Sequence, residues 1–187
     1  MGVFIIKPFL NPRLSVYDER QKREHEKYVQ SPDFTEFTKY KPSMIHFYNQ
    51  ERVAVLKELS LFAINKDGYA VCLGNEVKLI DERESAELHI GSPLKNGVIA
   101  DFRLSVQLFK YFFLRAGALN NILNLFRPSV AICIPIKMTY VEQRAMIQLM
   151  QMIGIKNFLI IEKSYQNATW QMSEYYKFVV EIIPEIE

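Results

Sequence analysis

The chain has 187 residues, of which 49% are hydrophobic and 24% are charged, a balance typical of a folded protein with one domain or one domain and a small addition. The formal net charge of +2 is too small to indicate a nucleic-acid partner. No apolar run approaches the roughly 20 residues that a membrane-spanning helix needs. Cys72 and Cys133 have no Cys or His neighbours at metal-ligand spacing, so we expect buried thiols and no metal site.

The N-terminal part of the chain differs in character from the rest. A short apolar run ends at Pro8 and is interpreted either as an edge strand or as a membrane anchor. Residues 15–30 are polar on nearly all sides, with opposite charges at helical spacing, which is typical of a weakly packed helix. We therefore divide the chain into an N-terminal appendage with a charged helix, residues 1–43, and a compact domain, residues 44–187.

Short apolar segments begin the compact domain. MIHFY, VAVL, LFAI and YAVCL predict strands that form an antiparallel or mixed meander. The charged stretch that follows predicts a surface helix over residues 75–88. Asn96-Gly97 then predicts a tight turn, because both residue types tolerate positive φ.

Two amphipathic helices are predicted in the second half of the chain. The apolar face of the first comprises Leu104, Leu108, Phe109, Phe112, Phe113 and Ala116, and Asp101 is placed to cap its N-terminus. Thr139 and Glu142 form a Thr-x-x-Glu capping box at the start of the second helix, which ends at Gly154. The predicted buried stripe of this helix is Val141, Ala145, Leu149 and Met152.

Three further apolar segments predict strands: VAICI after Pro128, then FLII and FVVEII. A strand, a helix and a strand joined by connections of this length indicate a right-handed βαβ unit with parallel pairing. The predicted fold class is α/β, a mixed β-sheet with flanking helices.

Several segments are similar to those of a known family. GSPLKNGVIADF, KELSLFAI, Gly74-Asn75-Glu76, LFRPSVAICIPIKMTYVEQRA and IGIKNFLIIEK resemble, in order and spacing, segments of the MreB family of bacterial rod-shape-determining actin homologues. The resemblance covers about residues 44–168. It implies one half, domain I, of the actin-like ATPase fold.

The resemblance also indicates where nucleotide chemistry is lost. The family's first phosphate loop, Asp-x-Gly-Thr/Ser, falls on KYKPSMI, where Lys39 replaces the acid and Pro42 lacks an amide donor. The second loop falls on EIIPE, residues 181–185, which has no glycine. No second domain is recognised. We therefore expect no nucleotide-binding residue, no cofactor and no ATPase activity.

Glu162 falls on the glutamate that orients the attacking water in the family. Without phosphates nearby, its expected role is that of a polar residue closing a strand, a vestige of the catalytic one. No catalytic residue is therefore predicted.

The segment ALNNILNLFRP, residues 118–128, is similar to a loop that inserts into the membrane in MreB. The predicted membrane-binding residues are Leu123, Leu125, Phe126, Arg115 and Arg127, the arginines meeting anionic lipid head groups. The alternative is that Leu125 and Phe126 pack against the helix that carries Phe112.

The predicted function is that of a degenerate MreB-like protein, a non-catalytic cytoskeletal or membrane-associated scaffold linked to cell shape. Its expected partners are itself or another actin-like filament protein, together with the inner face of the cytoplasmic membrane, and no nucleic acid. We expect it in the cytoplasm, with peripheral attachment to that membrane face. The alternative is one half of a split actin-like ATPase that needs a partner chain to bind ATP.

Overall fold

The computed structural model describes residues 40–66, 70–119, 128–134, 137–162 and 174–185. In chain order its elements are β1 (Met44–Asn49), β2 (Ala54–Leu59), β3 (Phe62–Asn65), β4 (Ala70–Leu73), a 3₁₀-helix (Gly74–Leu79), α1 (Glu82–Ser85), β5 (Leu88–Gly91), β6 (Leu94–Lys95), β7 (Val98–Ile99), α2 (Phe102–Arg115), β8 (Ser129–Ile134), α3 (Tyr140–Met152), β9 (Asn157–Glu162) and β10 (Phe178–Ile183). The predicted appendage, residues 1–43, lies almost wholly outside the described residues, so its boundary stays a prediction.

A five-stranded mixed sheet forms the centre of the described structure, in the order β2-β1-β10-β8-β9. β1 is antiparallel to β2 and β10, whereas β8 is parallel to β9 and β10. The parallel pairing of β8 and β9 around α3 confirms the predicted βαβ unit. The predicted fold class is therefore confirmed.

The predicted meander divides between two sheets. β1 and β2 belong to the five-stranded sheet, and the chain then enters a three-stranded sheet of order β4-β3-β5. Ser60 lies at this change of sheet, where its amide donates to the Ser43 carbonyl at 2.8 Å. A separate hairpin of β6 and β7 contains the predicted turn, with Asn96 and Gly97 both at positive φ, 51° and 85°.

The prediction of one helix over residues 75–88 is wrong. The segment forms the 3₁₀-helix, then the single turn of α1, then β5. Ile80 is extended, with φ −72° and ψ 128°, which ends the 3₁₀-helix. β5 pairs antiparallel with β3, so long-range strand pairing overrides the local helical spacing of charges.

One hydrophobic core joins α2 and α3 to what we call the inner face of the five-stranded sheet, the face that carries Phe47, Ile132 and Val180. The fully buried apolar side chains of α2 are Leu108, Phe109, Phe112 and Phe113, which confirms most of the predicted apolar face, while Ala116 is half-buried. Phe47 and Phe113 meet edge to face with ring centroids 4.9 Å apart. The opposite face, here called the outer face, carries Tyr48, Cys133 and Val179.

Both predicted helix caps are present. The Asp101 carboxylate accepts from the Leu104 amide at 2.9 Å. At α3 the Thr139 amide donates to Glu142 Oε2 at 2.7 Å, and the Glu142 amide donates to Thr139 Oγ1 at 3.3 Å. The hydrogen bonds that the Thr139 amide and hydroxyl donate to the Glu142 carboxylate hold the pKa of Glu142 below its usual value.

The prediction of the buried stripe of α3 is wrong. The observed buried face is rotated about the helix axis relative to the predicted one. The buried residues are Met146, Leu149 and Met150, whereas Val141 and Met152 are exposed. Only Leu149 belongs to both sets. The sheet determines which face of the helix is covered, and Met146 and Leu149 are the residues that reach it.

Candidate functional site

The predicted membrane-binding segment departs from the C-terminal end of α2. Leu123, Leu125, Phe126 and Arg127 lie outside the described residues, so their insertion into lipid stays a prediction. Arg115, the last residue of α2, is described, and its contacts define the base of this segment. Among the described residues, no helix is both long and apolar enough to cross a membrane.

The Arg115 guanidinium pairs with a buried carboxylate. Its Nη1 lies 2.7 Å from Glu58 Oε1 on β2 and 3.9 Å from Glu76 Oε1 on the 3₁₀-helix. The ring of Tyr111, one turn earlier on α2, lies 5.6 Å from the guanidinium carbon. Arg115 therefore fastens the end of α2 to two neighbouring elements, and its predicted contact with lipid head groups stays a prediction.

Asn75 completes the hydrogen bonding around Glu58. The Asn75 amide donates to Glu58 Oε2 at 2.6 Å, and its side chain bridges the backbone of β2 through Lys57 and Leu59. Glu58 is buried, so both of its oxygens need such partners. The Gly74-Asn75-Glu76 motif found in the sequence thus holds the buried carboxylate of the Glu58–Arg115 ion pair in place.

Glu162 occupies the end of β9 and faces the start of α3. Its Oε1 accepts from the Met138 amide at 3.2 Å and from Gln143 Nε2 at 2.7 Å. It also lines a shallow groove between α3 and β9, together with Gln143, Ile147, Phe158 and Ile160. The carboxylate therefore has hydrogen-bond partners that tie β9 to α3, and its predicted vestigial role stays a prediction.

The described part of the segment predicted to correspond to the first phosphate loop makes internal hydrogen bonds. Lys39 lies outside the described residues. The Ser43 amide donates to the buried Ser60 Oγ at 2.7 Å, and Ser60 Oγ lies 2.8 Å from Ser92 Oγ. This amide is therefore already used inside the protein.

The segment predicted to correspond to the second phosphate loop packs against the β6–β7 hairpin. Glu181 and Ile182 are part of β10, and Pro184 follows the strand. A Cβ added at Gly97 would lie 3.5 Å from Ile182 and 3.8 Å from Pro184, so the turn of the β6–β7 hairpin rests on the end of β10. The Asn96-Gly97 turn that precedes α2 therefore packs against the end of β10, the central strand of the sheet.

The sequence analysis missed a polar cluster on the outer face of the sheet. Glu181 is only 2% exposed, and among the described residues its Oε2 has no hydrogen-bond partner. His46 Nδ1 lies 3.8 Å from Glu181 Oε2 and 2.9 Å from the Tyr48 hydroxyl. The signal in the sequence was the single acid inside the apolar strand FVVEII.

Burial controls the titration of this cluster. It raises the pKa of Glu181 to about 7, although a hydrogen bond from Tyr48 acts in the opposite direction. Burial, assisted by the charge of Lys57, lowers the pKa of His46. The neighbouring Cys133 thiol has its pKa raised to about 12 by burial and by Glu181. Within the described ranges, no group of three or more possible ligands is placed to hold a metal ion.

The sequence analysis also missed an exposed apolar surface on α3. We define the α3 surface as Tyr140, Val141, Ile147 and Met152, all of which are exposed. Beside it lies β9, the outermost strand on that side of the described sheet, with Leu159 exposed. Val141 and Met152 were predicted to lie in the core, so their exposure on this surface was not predicted from the sequence.

Comparison with known proteins places these features in a family. The model of the MreB/Mbl protein family matches residues 43–170. The chain is 32% identical over 111 residues to the cell shape-determining protein Mbl of Bacillus subtilis, covering 58% of this chain and 32% of Mbl. It is 31% identical over 123 residues to the cell shape-determining protein MreB of Haemophilus influenzae, covering 62% and 34%.

Solved structures show the same fold. MreB5 of Spiroplasma citri bound to ADP superposes with a TM-score of 0.52 at 24% identity, covering 64% of this chain and 35% of that protein. The same protein bound to AMPPNP gives a TM-score of 0.53 at 26% identity. The chain spans about a third of the length of the relatives that it matches. Since the family match covers more than half of the chain, this protein belongs to the MreB/Mbl family.

Proposed function

We propose that this chain is a non-catalytic, cytoplasmic scaffold linked to cell shape, which assembles with itself or with another actin-like filament protein. The observation that carries the proposal is the α3 surface. Val141 is 75% exposed and Met152 is 66% exposed on a helix whose other face lies in the core. Large apolar side chains that stay exposed on a helix beside an outer strand mark a candidate interaction site.

The strand beside the α3 surface supports the same reading. β9 has a paired neighbour, β8, on one side only within the described sheet. An outer strand offers unpaired backbone groups to another chain. The groove between α3 and β9 joins the two features, because Ile147 lines the groove and also belongs to the α3 surface.

The absence of catalysis is part of the proposal. The Ser43 amide is used by Ser60, and Pro184 packs on Gly97, where the family resemblance places phosphate loops. Glu162 is held by Met138 and Gln143. These contacts support a scaffold more readily than an ATPase, including one that is completed by a partner chain.

The α3 surface can be tested by adding a charge. We expect Val141→Glu to weaken self-association, or binding to a full-length MreB-family partner, by at least tenfold, because burying an unpaired carboxylate is costly. The measurement is sedimentation velocity over a concentration series, alone and with the partner. Leu79→Glu is the matched control, since Leu79 is 82% exposed on the 3₁₀-helix and does not belong to the α3 surface. A wild-type chain that stays monomeric and ignores the partner would contradict the proposal.

A further inference from the structure

β10 holds an unusual place in the fold. It lies at the centre of the sheet, hydrogen-bonded to β1 on one side and to β8 on the other. Its side chains Val180 and Ile182 are fully buried in the main core. Yet β10 covers residues 178–183, outside the segment that matches the family, residues 43–170. A strand from beyond the matched segment therefore closes the gap between β1 and β8.

Glu181 is the one ionisable side chain of β10. It faces His46 across β1 and Cys133 across β8 in the strand register. The Tyr48 hydroxyl is hydrogen-bonded to the carboxyl group, and Oε2 has no hydrogen-bond partner among the described residues. The nearest cationic side chain of β2 on this face is Lys57, which is paired in register with His46 and is exposed to solvent.

The environment of Glu181 stabilises the neutral acid. A buried carboxylate needs a cation or several donors, and Tyr48 is a single donor. His46 does not supply a charge when Glu181 is ionised, because burial lowers the pKa of the imidazole while it raises that of the carboxyl group. As the pH rises, His46 is therefore already neutral before Glu181 loses its proton.

We propose that Glu181 makes β10 a proton-controlled latch, in which the protonated carboxyl group keeps the strand seated and loss of the proton loosens it. Opening of the latch exposes the facing edges of β1 and β8. In the open state the Glu181 carboxyl group is hydrated, so its ionised form favours opening. Acidification tightens the latch, and neutral to alkaline conditions loosen it.

The direction of the pH dependence follows from proton linkage. The pKa of Glu181 is about 7 in the folded state and has its ordinary value of 4.5 when the group is exposed. The closed state therefore binds more protons between these two values, and its stability falls as the pH rises through that range. Above the folded-state pKa both states are ionised, and no further loss occurs.

Hydrogen exchange of backbone amides tests the latch. After correction for intrinsic exchange, we expect protection of β10 amides to fall by up to about tenfold for each pH unit between roughly pH 5 and pH 7. Protection of α2 amides should change much less. Glu181→Gln, which cannot ionise, should abolish the loss of protection in β10 as the pH rises. Any remaining dependence should run the other way, because the lowered pKa of His46 favours the closed state as the pH rises. Glu185→Gln is the matched control, because Glu185 is exposed just beyond the strand, and it should retain the wild-type profile.

Two outcomes would overturn the proposal. One is a Glu181→Gln protein that keeps the wild-type pH profile in β10. The other is an equal loss of protection in α2 and β10, which would assign the proton to global unfolding. Thermal unfolding at each pH accompanies the exchange experiment, so that a poorly folded variant is recognised and replaced by Glu181→Met.

Discussion

Gly74 shows how one residue supports the ion pair between Glu58 and Arg115. It has a φ of +70°, and an added Cβ would collide with Glu58 Oε2 and lie 3.2 Å from the Phe112 ring. The left-handed conformation disfavours every other residue type except Asn and Asp. The backbone must be left-handed here so that the Asn75 amide can reach Glu58.

We expect Gly74→Ala to destabilise the protein by about 2–4 kcal/mol, from backbone strain together with displacement of Glu58. Gly117→Ala is the matched control, because Gly117 has a φ of +76° with no atom within 4 Å of an added Cβ. It should cost about 1–2 kcal/mol, the backbone strain alone. Urea denaturation measures both variants, and equal losses would show that the contact with Glu58 does not matter.

At the scale of elements, α2 ends where the predicted membrane-binding segment begins. Its last residue, Arg115, is tied to Glu58, so the direction in which the chain leaves the helix is set by a contact with β2. Phe112 and Phe113, one turn earlier, are fully buried. A fixed C-terminal end of α2 allows the predicted membrane-binding segment either to reach lipid or to pack on α2.

A double substitution separates these two readings. If Leu125 and Phe126 enter lipid, Leu125→Ser with Phe126→Ser should abolish cosedimentation with anionic liposomes and leave the melting temperature nearly unchanged. Each side chain would contribute up to about 1.5–3 kcal/mol of apolar burial. Binding of the wild type should be weak and should decrease with salt, as Arg127 is screened.

The melting temperature of the double variant distinguishes insertion into lipid from packing on α2. Should the two side chains pack on α2, the double variant melts much earlier, through loss of core packing. That result, together with a wild-type chain that does not bind liposomes, would contradict the membrane reading.

At the scale of the whole molecule, α2 and α3 pack on the inner face of the mixed sheet in the described part of the chain, and β10 lies at the centre of that sheet. Residues at both predicted phosphate-loop positions make internal contacts, through Ser43 at one and Pro184 at the other. A nucleotide would have to displace these contacts.

We therefore expect no rise in melting temperature with millimolar ATP and magnesium. A ligand at a hundredfold excess over its Kd would stabilise the native state by about 2.7 kcal/mol, which a thermal shift measurement detects readily. Magnesium alone and ATP with a chelator are the controls. A magnesium-dependent increase with ATP would instead support the split-ATPase alternative.

The sequence by itself determined the local features of this protein. The caps at Asp101 and Thr139 and the Asn96-Gly97 turn depend on residues close together in the chain, so their chemistry can be recognised there. The strands of the βαβ unit were also predictable, because their apolar runs are uninterrupted. The order and spacing of motifs were enough to identify the family resemblance.

Only the tertiary structure decided which of these elements meet. Periodicity in α3 allows several apolar stripes, and the sheet selected Met146 and Leu149 while leaving Val141 exposed. Likewise Arg115 and Glu162 were singled out in the sequence, but their partners, Glu58 and Gln143, lie far away in the chain. Strand order, helix rotation and the partners of charged side chains depend on long-range contacts, and no local pattern of residues encodes them.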